Sequence, residues 1–252
     1  QIVPNDLNTE VDVYIRDRQL GTTTLVSQEG GVAVGGRYPA LSEDGKYVVY
    51  VKNDSVGHPR HDIFRWSRES GTDVLVTSTS VIPEQFCSLV AVGFGLTSIS
   101  ANGKVIAAEM AFIGGGGAFG MKIIAVAECS PGVFSATIAS RTITAPPGLC
   151  PSLSELCTLG EPIENAANGA EPVVSGDGNV IIYATTYQDI YEATGTPIDS
   201  TRQLFAFHIP SRTTSLVSKG NDENPVSTGI GLGYDLSFRG NHIVFCSNAD
   251  NL

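Results

Sequence analysis

The sequence predicts an all-β fold built from a repeated sheet unit, and three observations predict it. One short phrase occurs four times: Leu41-Ser42-Glu43-Asp44-Gly45, Ile99-Ser100-Ala101-Asn102-Gly103, Val174-Ser175-Gly176-Asp177-Gly178 and Leu236-Ser237-Phe238-Arg239-Gly240. Each copy precedes an apolar run, such as Tyr47-Val48-Val49-Tyr50 or Val180-Ile181-Ile182-Tyr183. β-Branched residues stand between turn signals along the chain, and no long stretch carries a helical period.

The elements follow in order. The phrase reads as strand A, a tight turn closing on glycine, and strand B; glycine takes the positive φ of such a turn without steric cost. Strand C is Asp12–Arg16, Asp62–Trp66, Lys122–Val126 and Gln203–Phe207. A polar turn such as Arg68-Glu69-Ser70-Gly71 leads to strand D, rich in Thr, Ser and Val, at Thr22–Ser27, Thr72–Thr77, Ser135–Ser140 and Thr213–Ser218. The chain therefore runs C-D, then A-B-C-D three times, then A-B. The turn glycines at 45, 103, 178 and 240 are 58, 75 and 62 residues apart, and 57 when counted from Gly240 through the termini to Gly45. That last interval is a normal repeat. Repetition at this scale predicts a β-propeller of four four-stranded blades, one of them built from both N- and C-terminal strands, closed within one chain or between chains. The expected single domain has half-blades at 1–30 and 232–252, blades at about 37–80, 95–142 and 170–219, and an insertion at 142–170. The insertion leaves strand D for the next strand A, so it belongs on one rim, as binding surface or as a passive loop.

These phrases resemble the WD40-like, TolB-type (PD40) β-propeller repeat of bacterial envelope and secreted proteins. Tyr38–Tyr50, Asp12–Arg18 and Gly21–Ser27 carry the resemblance, which covers nearly the whole chain and is degraded by the insertion in the third repeat. It implies a propeller and no single activity, because a shared fold does not set function. Members of this family usually have more than four blades, which leaves a rare four-bladed ring or a segment of a larger one. Asn248–Leu252 resembles the first half of the family's long B–C loop, and Ile2–Asn8 the second half. Three arrangements follow: a ring closed on itself, a piece of a longer repeat protein, or N-terminal strands that complete a neighbour's blade. The third gives a filament if its symmetry does not close.

With 252 residues, 42% of them hydrophobic, the chain can bury a sizeable core. Only 16% are charged, and Gly, Ser and Thr abound, which fits a turn-rich secreted β protein better than a cytosolic enzyme. The net charge of −11 argues against nucleic acid as a partner. No run is apolar and long enough to span a membrane. No signal peptide is visible, and the chain begins at Gln1 rather than Met, as expected of a processed or truncated form. The expected location is extracellular or the cell surface, a bacterial envelope included. Cys150 and Cys157 bracket a loop with little core of its own; an extracellular setting favours a disulfide there over two free thiols. Cys246 ends an apolar strand and is expected as a buried free thiol, while pairing of Cys87 with Cys129 stays open. No cysteine or histidine spacing suggests zinc.

Asp6, Asn8, Glu10 and Asp12 alternate in a loop, and oxygen side chains so placed can converge on calcium. The central glycine and distal glutamate of an EF-hand are missing, and the alternative is a polar loop capped by Asp12. Calcium is the one cofactor the sequence suggests. Asn53-Asp54-Ser55 is an N-glycosylation sequon. Glu171 and Asp235 lie near the starts of inner strands and are expected in the channel, where carboxylates bind a cation or a sugar or are satisfied by water. His58 and His61 read as a solvated loop, and His208 and His242 as structural. No Gly-x-Ser-x-Gly elbow appears, and Gly114–Gly117 reads as a flexible loop rather than a phosphate cradle. No catalytic residue is assigned. The expected function is a non-catalytic secreted or surface structural protein that acts through self-association, as a filament subunit, with itself as partner. The alternative is a binding propeller for a glycan, peptide or cation, or for another surface protein, through its channel or rim. A third reading is a lyase or hydrolase with a channel site.

Overall fold

A computed structural model of the chain describes residues 3–52, 61–78, 85–86, 89–113, 119–139, 171–185 and 201–252. All its regular structure is β. A hairpin, β1 (Tyr14–Asp17) and β2 (Thr22–Leu25), is followed by a shorter one, β3 (Gln28–Glu29) and β4 (Val32–Ala33). Three antiparallel meanders come next. The first is β5 (Gly36–Leu41), β6 (Tyr47–Lys52), β7 (Ile63–Ser67) and β8 (Thr72–Leu75). The second adds a short strand at its inner edge: β9 (Gln85–Phe86), β10 (Leu89–Ile99), β11 (Val105–Ile113), β12 (Phe119–Ser130) and β13 (Val133–Ile138). The third is β14 (Val173–Val174), β15 (Val180–Thr185), β16 (Gln203–His208) and β17 (Thr213–Leu216). A last hairpin, β18 (Tyr234–Leu236) and β19 (Ile243–Phe245), closes the series.

Alternation along each strand builds the core between sheets rather than within them. On β6, Val48 and Tyr50 face back toward Val13 and Val26, with Trp66 beside them. Val49 and Val51 face forward, into a cluster with Ile106, Met110 and Ile124 of the second meander. That meander turns Ala107, Ile123 and Ala125 toward Tyr183, Phe205 and Phe207 of the third. The third turns Ile182 and Leu204 toward Ile243 and Phe245. The first strands of successive meanders also touch: β5 with β10, β10 with β14, and β14 with β18. Sheets that meet at their first strands and stack face to face form the fan of a β-propeller.

The repeated phrase is a hydrogen-bonded device. Ser42 Oγ donates to Asp44 Oδ1 at 2.7 Å and accepts from Tyr47 N–H at 3.0 Å. Ser100 with Asn102 and Val105, and Ser175 with Asp177 and Val180, repeat it. In the fourth copy Arg239 replaces the acid or amide, and only the Ser237 bond to His242 N–H remains, at 3.1 Å.

Among the described residues the two halves of the expected split blade are not paired with each other. β1–β2 and β18–β19 are separate two-stranded sheets at opposite ends of the series. Each is half a meander, so each leaves the ladder of an inner strand unfilled. The structure also moves Cys246 to the surface. Phe245 faces the core, so the next side chain points out, and no strand C covers it. His242 lies in the turn before β19 rather than in the strand, and is exposed.

Candidate functional site

The unfilled edges of β1 and β19 can be set in register from the whole blades. In each meander the residue two past the repeat glycine opposes one position of strand C: Tyr47 with Ser67, Val105 with Ala127, Val180 with His208. Strand C is aligned by its first core residue, Ile63, Ile123 or Leu204, whose carbonyl accepts from the end of strand D. Val13 takes that place in β1, accepting from Val26 N–H at 2.8 Å. Transferred to the open edges, the same register sets Val244 opposite Ile15 and Phe245 opposite Tyr14.

The repeat glycines mark the same vacancy. A Cβ on Gly103 would fall 2.2 Å from Tyr47, one on Gly178 2.9 Å from Val105, and one on Gly240 2.7 Å from Val180. In each case the neighbour stands two residues past the preceding repeat glycine. Gly45 has nothing within 4 Å. By the same rule the residue that would correspond to Tyr47, Val105 and Val180 for Gly45 is His242. Around β19, Val244 is 66% exposed, against 55% for Val133 and 54% for Leu41 on the complete meanders.

A second group stands beside the inner strands. Glu109 on β11 is buried against Gly95 and accepts Leu96 N–H at 3.2 Å. Burial, reinforced by the negative charge of Glu171, pushes its carboxyl up to about 6 against the pull of the Leu96 bond. Glu171 pairs with Arg202 at 3.4 Å, and its backbone carbonyl accepts from Tyr234 Oη at 2.6 Å. Burial raises the Tyr234 hydroxyl above its ordinary value. Asp235, by contrast, is exposed, and its Oδ1 accepts Leu236 N–H at 2.8 Å. Glu171 thus joins Glu109, Arg202 and Tyr234, and no contact joins it to Asp235 among the described residues. This group can hold a proton near neutrality beside an ion pair.

The side chains of three of the four candidate calcium ligands, Asp6, Asn8 and Asp12, are engaged separately, and Glu10 enters through its backbone N–H. Asp6 Oδ2 accepts from Tyr14 Oη at 2.5 Å, and Asn8 Oδ1 accepts Glu10 N–H at 2.9 Å. Asp12 Oδ1 accepts from Ser27 Oγ at 2.6 Å, while Ser27 Oγ accepts Val13 N–H at 2.9 Å. Thr77 and Asp62 do the same for Ile63, and Ser218 and Gln203 for Leu204. Asp12 therefore belongs to a clamp that joins strands C and D in several blades. Among the described residues no group of three or more His, Cys, Asp or Glu side chains is placed to hold a metal ion. Asn53, Cys150, Cys157, His58 and Gly114–Gly117 lie outside the described residues.

Sequence reasoning missed Glu109 and, among the buried cations, Lys52 and Arg65. Lys52 is buried under Glu29 (3.1 Å) and Asp73 (3.2 Å), with its ammonium 4.1 Å from the Phe64 ring centroid. Arg65 forks onto Glu128 (2.7 and 3.1 Å) and onto the Gly103 carbonyl (2.8 Å), bridging two meanders. A lysine or arginine inside an apolar strand was the available signal, since such a charge needs a partner.

No family model matches the chain, and no curated protein does. Similar solved structures include TolB from Acinetobacter baumannii, at 16% identity and TM-score 0.48 over 95% of this chain and 43% of that one. The Cps50 (Swd1) β-propeller domain of Myceliophteria thermophila is 12% identical, with TM-score 0.46 over 94% and 55%. An oligogalacturonate lyase in complex with manganese is 12% identical, with TM-score 0.39 over 95% and 65%. The chain spans less than two thirds of each of these proteins. The likeness is one of fold and says nothing of activity.

Proposed function

We propose that the protein is a non-catalytic, extracellular or surface structural subunit that assembles by completing a split blade: β19 of one copy pairs with β1 of the next. The observation that carries the reading is the pair of open edges, complementary in strand type and register, together with the empty position against Gly45. Pairing satisfies backbone N–H and C=O groups on both edges. It also covers Val244, the most exposed residue of β19. Such a contact is heterologous, so it propagates into a filament or closes into a ring of copies.

The test is a cross-link in the transferred register. Val244→Cys and Ile15→Cys are combined with Cys246→Ser and oxidised. The expected product is a ladder of covalent oligomers, with fibres in electron micrographs. Gly45→Ala should suppress the ladder, because the added methyl meets His242 only in the assembled state. A cross-link confined to monomers would overturn the proposal in favour of closure within one chain. Absence of any cross-link would overturn it outright.

A further inference from the structure

We infer that the cleft between the β3–β4 hairpin and the β7–β8 turn is a binding site for a neutral saccharide. It encloses about 610 Å³ and is lined by Trp66, Glu29, Asp73, Thr72 and the Gly30–Gly31 turn, among others. Small-molecule sites occupy about 300–1,000 Å³, so a mono- or disaccharide is the right size.

Three features select the ligand class. The first is an unmet donor: Trp66 is 3% exposed, and its indole Nε1–H has no hydrogen-bond partner among the described residues. A buried indole N–H normally finds an acceptor, and a shift of the side chain toward the cleft on binding lets a ligand hydroxyl supply one. The second is an excess of acceptors. Glu29 and Asp73 share the single Lys52 ammonium, and Asp73 Oδ2 also accepts from Tyr50 Oη at 2.5 Å. Each carboxylate keeps free lone pairs, because an ionised carboxylate offers about four acceptor sites. Adjacent sugar hydroxyls donate in pairs to such groups. Two carboxylates against one ammonium leave negative charge, which turns away phosphate, sulfate and acidic peptides. The third is an open wall. Gly30 and Gly31 have positive φ of 57° and 85° and nothing within 4 Å of where a Cβ would stand, so a ligand can approach the backbone closely. The cleft lies wholly within one chain, so the inference stands apart from the assembly proposal.

Trp66 is the sole tryptophan, so its fluorescence and its single indole N–H resonance both report on this cleft. The protein is titrated with glucose, galactose, mannose, N-acetylglucosamine, xylose and their disaccharides up to about 100 mM, a range that captures millimolar affinity. At least one sugar should give a saturable change in emission and move the indole N–H downfield. Asp73→Asn should weaken that sugar at least about tenfold, a change of about 1.4 kcal/mol, and Glu29→Gln serves where Asp73→Asn disturbs the circular dichroism. The inference is overturned if no sugar moves the indole resonance, if both variants bind as the parent does, or if calcium or sulfate alone gives the same response.

Discussion

Glu109 and Gly103 show how much single positions carry. The folded-state pKa of Glu109, about 6, stands above its ordinary value of 4.5. The folded chain therefore binds this proton more tightly than the unfolded chain does. The contribution is fully present below about pH 4.5 and is lost as pH rises through about 6. Its size is about 2 kcal/mol. Glu109→Gln keeps an acceptor for Leu96 N–H and removes the charge, so the variant should be more stable than the parent by up to that amount at about pH 8. Urea midpoints measured at about pH 4.5, 6 and 8 check it: the variant should lose the downward slope. The repeat glycines give a paired comparison. Gly103 has φ +72°, and a Cβ there collides with the Tyr47 ring; Gly45 has φ +69° and open space. Gly103→Ala should cost about 3 kcal/mol through backbone strain plus overpacking, and Gly45→Ala about 1 kcal/mol through strain alone. Denaturation of the dilute, unassembled protein measures both.

The strand is the scale at which the sequence was most legible. Apolar runs after each glycine became β6, β11, β15 and β19, and the runs read as strand C became β1, β7, β12 and β16, because alternation and β-branching act locally. What links C to D was not legible. The hydroxyl that ends strand D lies 15 residues from the Asp or Gln it bonds, and nothing short-range marks the pair. Asp12 shows the gap: the sequence pattern offered it as a metal ligand or the cap of a polar loop, and its Oδ1 also serves the clamp with Ser27. Ser218 is fully buried, accepts Leu204 N–H and donates to Gln203 Oε1. Ser218→Ala should therefore destabilise the protein by about 1–3 kcal/mol, the cost of groups left without their buried partner. Thermal unfolding should show it as a lowered Tm with native circular dichroism at low temperature.

At the scale of the whole molecule, successive sheets are tied by a few long-range contacts. Arg65 and Glu128 are 63 residues apart, and their fork joins the first meander to the second. The guanidinium also lies 4.6 Å from the Tyr47 ring centroid and 4.9 Å from that of Phe134. Arg65→Met keeps most of the packing but strands a half-buried carboxylate, so a loss of about 1–3 kcal/mol is expected, with Glu128→Gln partly restoring the double variant. A double-mutant cycle in urea measures the coupling. Among the described residues no hydrogen bond or ion pair of this kind joins the two terminal hairpins. Their edges present the register of a whole blade with the partner strand missing, and the assembly proposal rests on that relation.

The sequence by itself determined the repeat, the order of its A, B, C and D strands and the position of every A–B turn, though not the β3–β4 hairpin or β9. Those features follow from chemistry within a few residues: positive φ at glycine, a serine hydroxyl bridging its own turn, and two-residue alternation. Only the tertiary structure decided how the ends are disposed, which charges are buried and where the cleft beside Trp66 lies. Lys52 meets Glu29 across 23 residues, and β1 and β19 lie at opposite ends of the sheet series. Relations of that range depend on how one sheet stacks on the next, and no local pattern encodes them.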